Sequence, residues 1–459
     1  MMGKDKNENN AGAFVYKSVR ITLEDGPNKG KTYEIGALIF GFTYYEDITK
    51  PFISANLNIN DSGMNLIGNG TGPITGGELV EITVEGPDNE EYTYNFRVYR
   101  VGDRIQSGKI QNYNLGLISE EALLDPKTRI RTALTGTCDQ IVQTCLDELG
   151  TDKTLVKDPC LNKKKILPKN VSPFAICARL QDQAIPSSGK GGKGKGQGAA
   201  TKNGSYSDGT AGYFFYENAN GFNFRSIDTL MDVENKLGLN KAGGNTTIKT
   251  FQDSAGDELD TKITDVHFTS EINLMHGLRT GAYALQCQYY NFSTGEYTEK
   301  TYSANRSWDQ QAHLGSQDEL TPGQRFLADR PTRIVSAILD DESYYSGQDS
   351  ASPSNGQNNY PDWTASSLPQ SISRNYLLNT QGLRIVVPGN LQLVVGDIVK
   401  VLLQNMSTEE DRSVESVDSD HSGFYLVTAL SRFYNTVDRR VTTMLSLKRD
   451  SYGVLDIEN

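Results

Sequence analysis

Few residues in this chain have the type and spacing needed for chemistry, and the most suggestive stretch is 189–198, GKGGKGKGQG, where Lys190, Lys193 and Lys195 stand among six glycines. A phosphate-gripping loop uses this mixture. Its backbone N–H groups point inward at the start of a helix that follows a buried strand, a Lys reaches the outer phosphates, and a Ser or Thr holds the magnesium ion. Here the segment follows a helix and Pro186 instead of a strand, and Gly196 stands directly after Lys195. The residues beyond, QGAATKNGSYSDGTAG, are too rich in glycine to form a helix. The stretch therefore reads as a flexible, cationic, solvated loop between a helix and a hairpin.

Glu217 is the next candidate, flanked by Phe214, Phe215, Tyr216 and Phe222 in FFYENANGF. An apolar setting is what tunes a carboxylate for acid catalysis, but its place beside a turn fits a residue that hydrogen-bonds the hairpin. No Gly-x-Ser-x-Gly motif is present, and His267, His276, His313 and His421 lack metal-ligand spacing. Cys138, Cys145, Cys160, Cys177 and Cys287 contain no CxxC pair; they read as reduced core thiols. Tyr289 and Tyr290 could stack bases, yet their strand spacing suits core and cross-strand pairs. The acidic stretch STEEDRSVESVDSDHSG offers oxygen ligands for calcium but lacks an EF-hand ladder. It reads as a solvated crossing, so no residue is assigned a catalytic, cofactor-binding or metal-ligating role, and no enzyme activity is expected.

Composition bounds the rest. The 459 residues suffice for roughly two to four domains. The formal charge is −12, which disfavours tight nucleic-acid binding, since that depends on neutralising phosphates. The polar opening MMGKDKNENNAGAF lacks the apolar core of a signal peptide, and no run approaches the ~20 apolar residues of a membrane helix. A soluble chain made inside the cell is expected.

These residues must be positioned by two kinds of element. Residues 14–124 alternate apolar and polar between Gly, Pro, Asn and Asp breaks, as in an antiparallel barrel or sandwich. From Ile130 the period changes: Ile130, Leu134, Cys138, Ile141, Cys145 and Leu149 form one helical stripe that Gly150 ends. Ser172 and Pro173 open a second helix. The 187–211 loop follows, then a hairpin turning at Asn218–Gly221. This middle region, 125–265, separates the first β part from a second, 266–459. The second part opens with a hairpin in GAYALQCQYYNFSTGEYTEKTYSAN and carries a polar, loop-like insertion at 305–370. The expected class is mainly β with an α/β middle: two antiparallel barrel domains with helical material between them, after a flexible 1–13.

Several stretches, in order, resemble the baseplate central hub proteins of contractile-tailed (T4-like) bacteriophages. YYEDITKPFISANLNINDSGMNLIGNGTGPITGGELVEITV resembles their first barrel, and NYNLGLISEEALLD the passage into the middle domain. The most specific match is SPFAICARLQDQA followed by GYFFYENANGFNFRSIDTLM, a Pro-Phe helix before a Phe-Tyr-Glu-Asn…Gly-Phe-x-Phe hairpin. VVPGNLQLVVGDIVKVLL and SGFYLVTALSRFYN resemble the closing strands of the second barrel.

The resemblance implies a virion structural protein: a homotrimer whose paired barrels make a pseudo-six-fold ring. That ring would join the six-fold tail tube, through its initiator proteins, to the three-fold membrane-piercing spike. Baseplate wedge proteins would surround it, DNA would pass an axial channel without specific binding, and the host membrane would be met only through the spike. No cofactor is implied. Type VI secretion spike proteins share the plan. A tail-associated hydrolase or a host-glycan-binding tail protein is the alternative.

Overall fold

A computed structural model describes residues 12–24, 28–67, 74–160, 163–187, 211–237, 248–253, 260–291, 295, 297–339, 363–405 and 417–455. The Gly/Lys segment 188–210 and most of the acidic stretch lie outside these residues.

The first β region contains β1 (Val15–Thr22), β2 (Thr32–Glu34), β3 (Ile39–Asp47), β4 (Ser54–Asp61), β5 (Leu79–Glu85), β6 (Glu91–Ser107) and β7 (Ile110–Ile118). The middle region runs through α1 (Glu120–Leu124), β8 (Leu134–Thr137), α2 (Cys138–Leu149), β9 (Leu155–Lys157), β10 (Lys163–Ile166) and α3 (Pro173–Gln181). It continues with the hairpin β11 (Tyr213–Asn218) and β12 (Gly221–Ser226), then α4 (Ile227–Met231) and α5 (Val233–Lys236). Beyond lie β13 (Thr250–Gln252), β14 (Asp265–Ser270), α6 (Leu274–Thr280), β15 (Ala284–Asn291), β16 (Tyr297–Ser303), α7 (Ala304–Ser307), α8 (Pro322–Ala328) and β17 (Arg333–Leu339). The last elements are α9 (Trp363–Leu377), β18 (Gln381–Pro388), β19 (Ile398–Leu402), β20 (Gly423–Asn435) and β21 (Arg440–Arg449).

The mainly β class holds, but the strands form no closed barrel among the described residues. The two β regions instead share one thirteen-stranded sheet, ordered β14-β18-β21-β20-β3-β4-β7-β6-β5-β1-β2, with β19 paired to β20 and β13 to β19. The seam is the antiparallel pair β20–β3, which sets Leu430 opposite Glu46 and Arg432 opposite Tyr44. Alternation fixes which face of a strand is buried, not which strand covers its edge, so this pairing was not legible. One apolar cluster consequently joins side chains of both regions, from Val19, Phe42 and Phe96 to Leu426, Tyr434 and Leu447.

A second core fills the middle region. The helix read over 130–149 begins only at Cys138. Ile130 bridges to Val171, and β8 pairs with β10. The reason is local: Thr135 and Thr137 are β-branched and flank Gly136, a poor helix former. Thr137 then caps the helix, its N–H donating to Gln140 Oε1 at 3.1 Å in a capping box. Gly150 ends it at φ +76°, as expected. All five cysteines are free and buried.

The stretch expected as loop from 305 to 370 is structured where it is described. It holds α7, α8, β17 and most of α9, and Trp308 joins a third core with Tyr283, Tyr302 and Leu377. Its polar composition concealed real helix signals. Thr321, Pro322 and Gln324 form a capping box at the start of α8, with Thr321 N–H donating to Gln324 Oε1 at 3.0 Å.

Candidate functional site: two buried charge junctions

The hairpin β11–β12 joins the two largest apolar cores. All six residues of β11 are buried, and alternation sends Phe214 and Tyr216 into the large core while Tyr213 and Phe215 enter the middle one. Phe215 stacks on Phe222 with ring centroids 5.8 Å apart and planes 8° from parallel. Phe174 of α3 meets both rings at 5.8 and 5.9 Å. Such aromatic pairs add to the energy of simple burial. The turn needs Gly221: its φ is +119°, and a Cβ there would lie 2.5 Å from the Thr154 carbonyl oxygen.

Glu217 sits at the end of this hairpin, fully buried. Its Oε1 pairs with Lys153 Nζ at 2.5 Å, and its Oε2 accepts the Ile53 N–H at 3.2 Å. Lys153 also reaches Glu121 Oε2 of α1 at 2.6 Å. Burial pushes the Glu217 carboxyl upward, opposed by the adjacent ammonium. Burial works against the Lys153 charge, but Glu217 and Glu121 on either side hold its pKa above the usual lysine value. A few residues away, Glu46 of β3 is equally enclosed. It accepts from Tyr44 Oη at 2.6 Å, Ala219 N–H at 2.9 Å and Val395 N–H at 2.8 Å. Burial raises its pKa, with Arg432 acting in the other direction. A cleft of about 540 Å³ opens above, between the β6 residues Tyr92–Phe96, the turn Asn218–Gly221 and Leu391, Gln392 and Val394.

The second junction lies where α9 crosses α4. Arg374 Nη2 donates to Asp228 Oδ1 at 2.6 Å, and both residues are buried. The Ala312 N–H donates to the same oxygen at 3.0 Å. Arg374 Nη1 donates to the Ala211 carbonyl at 3.2 Å, and the Ala211 N–H donates to Gln370 Oε1 at 2.9 Å. Ser367 Oγ donates to the Gln183 carbonyl at 3.4 Å. One helix thus holds the chain on both sides of the Gly/Lys segment.

These arrangements tie elements together and do not present a reacting group. Both Glu217 oxygens are occupied by the protein's own donors. The histidines stand apart: His267 on β14, His276 on α6, His313 against Asp450 at 2.5 Å, and His421 against Asp418 at 2.7 Å. Tyr289 is buried beside Leu285 and Cys287, whereas Tyr290 is exposed opposite Tyr297. Sequence reasoning found Glu217 but not Lys153, Glu121 or the Asp228–Arg374 pair. The last are 146 positions apart and leave no local signal. Glu46 and Arg432 did leave one, since each falls on the inward parity of its strand.

Neither a protein-family model nor a curated protein matches the sequence. Among solved structures, a tail protein from Neisseria meningitidis MC58 superposes with TM-score 0.51 at 11% identity, over 95% of this chain and 97% of that one. The chain shares the fold of that tail protein. The prophage MuSo2 43 kDa tail protein from Shewanella oneidensis also aligns, at TM-score 0.48 and 10% identity over 95% and 98% of the chains. An E. coli type VI secretion component, described as structurally similar to T4 bacteriophage tail proteins gp27 and gp5, aligns at TM-score 0.43 and 10% identity. That alignment covers 96% of this chain and 78% of the other. The fold assignment rests on the Neisseria protein. On this tail-protein fold, the stretches that carried the sequence resemblance fall on β3–β5, β7–α1, α3 with β11–α4, and β18–β20.

Proposed function

We propose that this chain is a structural protein of a phage-type tail, acting as the baseplate hub. Three copies form a ring whose two β regions per copy, within 14–124 and 266–459, repeat around the axis. The middle region 125–265 braces them. Such a ring joins a six-fold tube, through its initiator proteins, to a three-fold spike, sits among the wedge proteins, and leaves an axial passage for DNA. Its role is mechanical and non-enzymatic, and its place is the virion tail.

The observation that carries this reading is a tail-protein fold that spans nearly the whole of both chains. Two features agree with it. The buried junctions described above serve rigidity, and a formal charge of −12 suits a passage that repels phosphate instead of holding it. Native mass measurement of the full chain, alone and with the spike, tests the proposal. A three-copy species is expected; a monomer under every condition overturns it.

A further inference from the structure

We infer that the extension Tyr99–Gln111 of the β6–β7 pair is a docking ribbon that seats on a second copy of this chain. The inference rests on the hub reading above and names the contact that would close its ring.

The ribbon begins where β6 loses its outer neighbour. The β5–β6 ladder stops at Leu79 opposite Arg97, and backbone bonds from Gly77 and to Glu78 still cover Val98. From Tyr99 onward the outer edge of β6 has no strand partner among the described residues. No residue from 99 to 112 is buried. Tyr99 is 49% exposed, Ile105 66% and Ile110 43%. The ladder to β7 shifts twice, between Val98 and Arg100 and between Gly102 and Ile105. Bulges of this kind twist an edge strand and keep it from pairing indiscriminately.

The ribbon carries a local excess of positive charge. Arg100, Arg104 and Lys109 stand against one carboxylate, Asp103. Arg97, just before the ribbon, is held by Glu24 and Glu120. None of the three ribbon cations has a carboxylate partner among the described residues. A positive, apolar-tipped ribbon on a chain of charge −12 is complementary to another copy of that chain. Exposed apolar side chains beside the cations fit a protein surface better than a phosphate backbone. A ribbon on one copy meeting a different surface of the next copy is a heterologous contact, the kind that closes rings.

The test is sedimentation velocity on the full chain at several salt concentrations. The comparison is with a variant carrying Arg100→Glu, Arg104→Glu and Lys109→Glu, and with Ile105→Asp. The wild type is expected to assemble, less tightly as salt rises. The variants should dissociate with constants raised about tenfold or more, while their circular dichroism stays unchanged. A variant that assembles like the wild type overturns the contact and leaves the trimer standing; a wild type that remains monomeric both alone and with the spike removes both. Hydrogen exchange on the wild type gives an independent reading: amides of 99–111 should gain protection on assembly, and unchanged exchange contradicts the contact. If the variant loses binding to a short DNA duplex but assembles normally, the ribbon belongs to nucleic acid and the inference falls.

Discussion

The hairpin β11–β12 and the helix α9 perform the same task with a different balance of chemistry. Both lock distant parts of the chain together. The hairpin does so with stacked aromatic rings shared between two cores. Helix α9 does so with a polar face, in which Ser367, Gln370, Ser371 and Arg374 are all buried. Apolar packing tolerates loss of detail, because its energy follows area. A buried ion pair does not, because removing one partner strands the other. The difference teaches that in this molecule rigidity at the crossing of α9 is bought with specificity, and rigidity at the hairpin with burial.

That contrast can be broken by mutation. The largest losses should be similar in size at the two places and differ in their repair. Phe222→Ala should cost about 3–5 kcal/mol in denaturant unfolding, and no polar change at a neighbour should restore it. Arg374→Met should also cost about 3–5 kcal/mol by stranding Asp228. The double variant Arg374→Met, Asp228→Leu should recover most of that loss; a double variant as unstable as the single one would show that the pair is not the clamp. Lys153→Met should have an intermediate effect, about 1–3 kcal/mol, since its ammonium is partly solvated. Adding Glu217→Gln should reduce the loss, measured by the same denaturant unfolding.

The smallest effect concerns acid–base behaviour. Burial raises the Asp182 carboxyl at the end of α3 to about 6. The raised value means that the neutral form is the one the fold favours. Its contribution is therefore complete below the unfolded value near ~3.9 and is lost as pH rises through 6. Asp182→Asn should abolish that part of the decline in stability between these limits. A pH profile identical to the wild type would contradict it.

Legibility in the sequence followed the same contrast. The hairpin could be read, turn included, because its aromatic run and Asn-Ala-Asn-Gly break are local signals. The helix α3 was marked by Ser172 and Pro173 in the same way. Helix α9 was hard to read as buried, since much of the side it turns inward is serine, glutamine and arginine, and its apolar contacts, Leu368, Ile372 and Leu377, are few. Pro369 inside it misleads further. The junction at Glu217 was half legible: the carboxylate stood out among aromatics, while Lys153 comes from a turn with no periodic pattern. The seam between β3 and β20 was invisible, because nearly four hundred residues separate strands whose alternation is ordinary.

The claim at the centre of this account is that the chain is a ring-forming component on the tail axis. An averaged electron-microscope reconstruction of the assembled particle tests it most directly. The account predicts density for three copies around an open axial channel, between tube and spike. Density for this chain away from the axis, or as a single copy, would contradict it.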